Sequence, residues 1–279
     1  MNFIKIFKHP LMTPIKAAGA MILSRTNATA LATLHTGQKL KVDLGSTVGR
    51  SIYLRGVYEN EVENCIRRCL NVGDTFIDVG SNVGYFSIIA SQLVGEAGFV
   101  YAFEPHEKVF NLLKESVKIN FANNVEISEI ALWDEKTELS FSYKLNSAFS
   151  YIIPHRDDSA SSTIQAMTFD DYISTKKLSS SVKLIKIDVE GAEFKVISGM
   201  KETIDRFHPD FIVELLNWSL SRFSSEIKDI FNFFTERGYS IYNLSHVLLK
   251  SEAEAIQTLE QSVIKNLLFK NTSLEQKPN

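Results

Sequence analysis

"FIDVGSNVGYF" occupies residues 76–86. An apolar run of Phe76, Ile77 and Val79 carries a single acid, Asp78, and breaks at Gly80; Gly84 then opens a second apolar segment, "YFSIIASQL". The pattern reads as strand, tight turn and helix start, the unit with which α/β proteins build a crevice for a nucleotide-like ligand. Outward from this stretch the alternation repeats. Strands are expected over 75–79, 99–103, 125–130, 137–143, 183–187 and 210–214, with helices over 83–93, 107–120, 192–199 and 222–237. Such units predict a doubly wound, Rossmann-like α/β fold with a mostly parallel sheet. Residues 239–244 and 262–270 read as closing strands in a hairpin pair, which adds a C-terminal antiparallel strand.

Upstream, "ALATLHTGQKLKVDL" (30–44) predicts a β-hairpin turning at "HTGQ", and 58–70 has helical periodicity. The expected organisation is an N-terminal extension over 1–57, made of a basic segment and the hairpin, followed by one α/β domain over 58–279. The stretch 146–162 is polar and irregular and reads as a loop or lid. Asp170 is expected near the N-cap of a helix that follows a strand from 162.

The 279 residues are 44% hydrophobic and 23% charged, a balance that suits one sizeable core. Thirty basic against 33 acidic side chains leave a net charge of -3, which speaks against a large nucleic-acid footprint. Cys65 and Cys69 would share one helix face. Two ligands alone make a poor zinc site and the spacing does not suit a disulfide, so ordinary buried thiols in a reducing cytoplasm are expected, with no metal-ligand set. No apolar run approaches the ~18 residues of a membrane span. Residues 1–25 mix lysines, two prolines and the short apolar stretch "AAGAMIL", which Lys16 leaves too short for a signal peptide. A docking extension is the expectation, and peripheral membrane contact by a basic amphipathic segment is the alternative.

The glycine turn does not fit a dinucleotide. The spacing Gly80-Ser-Asn-Val-Gly84 lacks the middle glycine of the pyrophosphate-binding fingerprint, and no Gly-Lys-Ser/Thr follows. A carboxylate at Asp78 would repel a pyrophosphate but favour an ammonium or sulfonium group. S-adenosylmethionine carries both and no phosphate. Glu104, which ends "VYAFE" on the next strand, stands where an acid can accept hydrogen bonds from both ribose hydroxyls.

The carboxylates of "DVEGAE", Asp188, Glu190 and Glu193, fall at a strand end and helix start. They could cap the helix, bind a hard cation or take a proton from an acceptor hydroxyl. His155, in "IIPHRDD", reads as a lid histidine or as a solvated one, and His106 edges the cofactor turn. Glu214 ends its strand on the same side, with Trp218 after it, where the ring could stack on a sugar or form part of a rim.

The chain resembles the FkbM-type S-adenosylmethionine-dependent methyltransferases of the class I fold. The motifs carrying the resemblance are "RGVYENE", "GDTFIDVGSNVGYFS", "YAFEPHEKVFNLLKESVKIN", "IALWDE", "MTFDDYI", "LIKIDVEGAEFKVISGM" and "HPDFIVEL", in that order over about 37–270. The resemblance implies that Asp78, Gly80, Asn82 and Gly84 surround the methionine half of the cofactor. It implies that Glu104 and Pro105 lie at the ribose, Ala131 and Leu132 at the adenine, and Tyr58 and Glu59 over the site. Asp188, Glu190 and His155 are then the candidate catalytic groups, and Glu193, Glu214 and Trp218 the candidate acceptor contacts. The implied activity is methyl transfer to a hydroxyl oxygen, with a sugar in a glycan, glycolipid or glycosylated natural product as acceptor. RNA methylation and a non-catalytic scaffold in a glycan-synthesis complex are the rival readings.

Overall fold

The computed structural model describes residues 28–143, 150–153, 162–176 and 182–272. The N-terminal segment 1–25 and His155 lie outside the described residues, as does most of the 146–162 loop. A hairpin of β1 (Thr29–Thr33) and β2 (Lys39–Asp43) leads into α1 (Thr47–Arg55) and α2 (Asn60–Cys69). There follow β3 (Thr75–Val79), α3 (Tyr85–Val94), β4 (Phe99–Phe103), α4 (Glu107–Ile119) and β5 (Val125–Ser128). An inserted group contains β6 (Ala131–Leu132), β7 (Thr137–Tyr143), β8 (Ser150–Ile153), β9 (Ser162–Met167) and α5 (Phe169–Ser174). The chain closes with β10 (Val182–Ile187), α6 (Glu193–Ser198), α7 (Lys201–Phe207), β11 (Asp210–Glu214), α8 (Asn217–Leu220), α9 (Ile227–Thr235), β12 (Tyr239–Tyr242), α10 (Glu252–Gln261) and β13 (Asn266–Asn271).

Among the described residues the main sheet has seven strands in the order β12-β13-β11-β10-β3-β4-β5. The five from β11 to β5 run parallel, and β13 lies antiparallel between β11 and β12. Strand order reverses around β3 and β10, and there an open α/β sheet forms its ligand crevice, beyond the carboxyl ends of the strands. The mixed α/β class and the C-terminal antiparallel strand agree with the sequence. The two closing strands do not form a tight hairpin, however, because α10 connects them.

Alternation sorts the strands onto two buried layers. Ile77, Phe103, Ile185, Phe211 and Phe269 pack on one side with Val196, Ile204, Ile230, Phe231 and Phe234. Phe76, Val100, Leu184, Ile212 and Leu268 pack on the other with Ile52, Val62, Ile66, Ile89 and Leu112, together with Leu40 and Val42 of the hairpin. Burying each such side chain contributes about 1.5–3 kcal/mol before entropy is counted. The hairpin is also tied to α4: Lys108 Nζ reaches Asp43 Oδ2 at 2.5 Å, and Lys41 N donates to Ser116 Oγ at 3.0 Å.

Several local expectations are corrected. Helix α1 follows "GS", where Ser46 Oγ accepts from Gly49 N at 2.9 Å, a cap hidden among glycines and β-branched residues. The late helix begins at Ile227, after α8 and a 3-10 turn over Ser221–Phe223. Thr168, not Asp170, caps α5, accepting from Asp171 N at 3.0 Å. Asp170 instead accepts from Glu202 N, Thr203 N and Thr203 Oγ1 at 2.8, 3.0 and 2.6 Å and fixes the start of α7. Among the described residues, no helix is long and apolar enough to cross a membrane.

Candidate active site

A cavity of about 240 Å³ opens at the carboxyl ends of the parallel strands. The β3–α3 turn forms its floor, and the turn needs its glycines. Gly80 has φ +78°, and a Cβ there would run into the carbonyl oxygen of Asp188, so the turn lies directly against the end of β10. Gly84 has φ +89° and starts α3. Among the described residues seven non-glycine residues have positive φ, and three of them, Glu59, Asn82 and Glu190, belong to this site. Such conformations cost about 1–3 kcal/mol each and persist where the surroundings fix them, often at functional sites.

Glu104 closes β4 and is 8% exposed. Its carboxylate accepts from Asn82 N and His106 N, both at 3.0 Å, so backbone on two sides holds it at the turn. Burial pushes its pKa up to about 7, with those two hydrogen bonds opposing the rise. His106 itself caps α4 through Nδ1, accepting from Val109 N at 3.3 Å.

The acceptor side is a group of carboxylates around one cation. Lys186, 1% exposed, sits on β10 opposite Asp78 of β3 in register, and its Nζ lies 3.0 Å from Asp188 Oδ2. Burial disfavours the ammonium, but Asp188, Asp78 and Glu59 together outweigh that and raise its pKa. Burial, then the Asp188 charge, lifts Glu59 to about 7. Burial, then Asp188 and Glu193, lifts Glu190 to about 8, with Arg222 pulling the other way. Burial, then Asp188, Glu190 and Glu193, lifts Glu214 to about 10, and Glu214 shares a hydrogen bond with Asp188. The cavity is therefore short of positive charge. Glu59 Oε2, Asp78 Oδ1 and Glu190 Oε2 are buried without a hydrogen-bond partner among the described residues.

The residues expected from sequence separate into three groups. Tyr58, Gly80, Asn82, Glu104, Pro105, Ala131, Leu132, Asp188, Glu190 and Glu214 line the cavity. Glu59, Asp78, Gly84 and Glu193 do not line it. Asp78 is fully buried and accepts from Ser87 Oγ at 2.5 Å. Glu193 is 1% exposed and accepts from Val189 N and Gly191 N at 3.2 and 3.0 Å, so it braces the "DVEGAE" turn rather than facing an acceptor. Trp218 does not line the cavity; it is 53% exposed, with the Arg222 guanidinium 5.2 Å from its ring centre.

A family model described as the methyltransferase FkbM domain matches residues 78–241, more than half of the chain. The chain belongs to the FkbM methyltransferase family. Weaker similarities accompany this match. A methyltransferase FkbM structure from Methylobacillus flagellatus KT is 14% identical, with a TM-score of 0.46, and the overlap covers 71% of this chain and 43% of that one. An rRNA methylase structure from Streptococcus thermophilus is 10% identical over 74% of this chain and 90% of that one, with a TM-score of 0.41. A curated protein of Sulfolobus acidocaldarius named "Probable cobalt-precorrin-6B C(15)-methyltransferase (decarboxylating)" is 42% identical over 57 residues, 20% of this chain and 30% of that protein. The chain thus spans less than a third of that curated relative and less than half of the Methylobacillus chain.

The cofactor of this FkbM methyltransferase is S-adenosylmethionine, and the residues present suit it. The unpartnered Glu190 Oε2, in a cavity lined also by Glu104, Asp188 and Glu214, suits its ammonium and sulfonium groups, and Glu104 is the acid that would meet ribose hydroxyls. Apolar Ile130, Ala131 and Leu132 offer a wall for adenine. Lys186 and Arg222 are the site residues that sequence reasoning missed. A lysine inside the buried run "KLIKI" was the available signal for Lys186, because a parallel central strand tolerates a charge only with partners. Nothing local marked Arg222, whose Nη2 donates to the Glu190 carbonyl 32 residues away in sequence.

Proposed function

We propose that this protein methylates a hydroxyl oxygen of a saccharide-type acceptor, with Glu190 as proton acceptor. When bound, S-adenosylmethionine supplies an electrophilic methyl group on a positively charged sulfur. The chain's own work is to align the acceptor oxygen and to take its proton, because an alcohol is a poor nucleophile until that proton leaves. The observation carrying this reading is Glu190 itself. Its carboxyl is raised to about 8, its Oε2 is buried and unpartnered, and its backbone is held at φ +56° with its carbonyl bound by Arg222. A base with a pKa near the working pH is efficient in proton transfer. Asp188, fixed by Lys186, and Glu214 supply further acceptors suited to vicinal hydroxyls, which favours a polyol over an apolar acceptor.

The test is methyl transfer from isotopically labelled S-adenosylmethionine to a panel of sugar nucleotides, glycolipids and structured RNA, with products read by mass and by the linkage of the new methyl. An O-methylated saccharide supports the reading. Label on a base of the RNA, or on carbon or nitrogen of any acceptor, overturns it.

A further inference from the structure

A second group of chemistry-bearing side chains lies away from the cavity. Cys65 and Cys69 stand one turn apart on α2, buried and not in a disulfide. His246, 181 residues after Cys65, presents Nε2 to both, at 3.6 Å from Cys65 Sγ and 3.8 Å from Cys69 Sγ. All three ligand atoms lie within 4.8 Å of one another. Asp210, which acts on both thiols and on His246, begins β11, whereas Glu214 ends it. The group is therefore at the end of the sheet opposite the cavity.

We propose that Cys65, Cys69 and His246 form a site for a soft divalent ion of the Zn²⁺ class, which pins the 243–247 turn onto α2. Distances carry the first part of the case. A tetrahedral zinc with bonds of about 2.3 Å to sulfur and 2.05 Å to nitrogen separates N from S by roughly 3.6 Å. The observed 3.6 and 3.8 Å match that edge closely. Thiolate and imidazole are also the ligand types that zinc takes in closed sites, and two thiolates cancel the charge of the ion. On binding, the two thiol protons pass to solvent as two sulfur–metal bonds and one nitrogen–metal bond form.

The second part is how the histidine is held. His246 has φ +64°, a conformation uncommon for a residue with a Cβ. The turn around it is built from hydrogen bonds: Asn243 Oδ1 accepts from Ser245 N and Val247 N at 2.9 and 3.0 Å, and His246 N donates to Asn243 O at 2.9 Å. Arg68, between the two cysteines on α2, donates to Leu244 O at 2.5 Å and locks the same turn to the helix. The ligands are thus positioned from two segments before any ion arrives. His246 is the half-buried member, so the fourth corner of the tetrahedron is left to water.

The experiment uses the full chain, reduced and stripped with chelator, and titrates it with Co²⁺ under anaerobic conditions. The expected result is one Co²⁺ per chain, with thiolate-to-cobalt charge-transfer absorption and the visible bands of a tetrahedral ion, bleached by one equivalent of Zn²⁺. His246→Ala is expected to weaken binding by about 100-fold, the upper end of what even partners behind metal ligands are worth, and Cys65→Ser or Cys69→Ser to lower the charge-transfer intensity. Absence of these bands in protein with a native circular dichroism spectrum overturns the site, as does an affinity unchanged by His246→Ala. Should the cysteine variants not fold, thiol labelling of the wild-type chain decides. Zn²⁺ that slows labelling of both cysteines supports the site, and an unchanged rate overturns it.

Discussion

Lys186 Nζ donates to Asp188 Oδ2 at 3.0 Å from a side chain that is 1% exposed, and in the sheet register Lys186 stands beside the equally buried Asp78. One ammonium thus faces a carboxylate behind the cavity wall and another on its surface. Phe86 covers the lysine from α3, with its ring centre 5.0 Å from Nζ. This arrangement couples the stability of the central strands to the charge of the site.

Removing the ammonium leaves Asp78 buried and Asp188 without its partner. Breaking a buried pair from one side typically costs about 3–5 kcal/mol. Lys186→Met should therefore lower stability by about 3 kcal/mol in urea denaturation. Adding Asp78→Asn should return part of that loss, because the orphaned charge is then gone. A Lys186→Met variant as stable as the wild type would show that the ammonium is dispensable.

The sheet was legible because its strands are short apolar runs punctuated by glycine turns, and "FIDVGSNVG" carries strand, turn and site at once. Glu104 and Glu214 were legible for the same reason, as acids that end apolar strands. What sequence could not give is contact between distant segments. His246 meets Cys65 across 181 residues, and only the folding of the β12–α10 connection onto α2 makes a third ligand for two cysteines that looked inert. Glu193 misled because three acids in one turn look equivalent. The strand–helix corner uses one of them to bind its own N–H groups and leaves the others facing the cavity.

If Glu190 takes the acceptor proton, it must be ionised in the reactive complex. Its carboxyl, lifted to about 8 by burial and by Asp188 and Glu193, is mostly protonated at neutral pH. The expected kcat/KM rises with pH and levels off above about 8. Glu190→Gln should remove that limb and lower kcat by about 10²–10⁴-fold with little effect on cofactor affinity. An unchanged pH profile in the glutamine variant would exclude Glu190 as the base.

Glu104 should act on binding and not on the chemical step. Hydrogen bonds to a charged acceptor contribute about 1.5–3 kcal/mol, so Glu104→Ala should weaken S-adenosylhomocysteine binding by about 10–100-fold. Calorimetry measures this directly, with NAD as a ligand expected not to bind. The kinetic signature is a raised KM for the cofactor at nearly constant kcat. A variant that binds normally would remove the ribose role.

The same raised carboxyls predict how the ligand-free protein responds to pH. Glu59 and Glu104 titrate near 7 and Glu190 near 8 in the folded chain, all above the unfolded value of about 4.3. The unfolded chain releases these protons first, so the stability tied to them is complete below about pH 4.3 and is lost as pH rises through 7 to 8. Glu63 and Glu126, whose carboxyls are lowered, lose their contribution only at acid pH and do not mask the effect. The thermal midpoint should therefore decrease as pH rises from about 4.3 to about 8, and Glu214, lifted to about 10, carries the decline further. Between about pH 6.5 and 9, where Glu59, Glu104 and Glu190 ionise in the folded chain, the carboxylates should favour the sulfonium of S-adenosylmethionine over the neutral sulfur of S-adenosylhomocysteine. Their affinity ratio should rise by about tenfold, the effect of roughly 1.4 kcal/mol, well below the ~4 kcal/mol of a full charge pair near a protein surface. Calorimetry of both ligands across that range measures the ratio, and one that stays flat or falls would mean that the carboxylates do not face the sulfur.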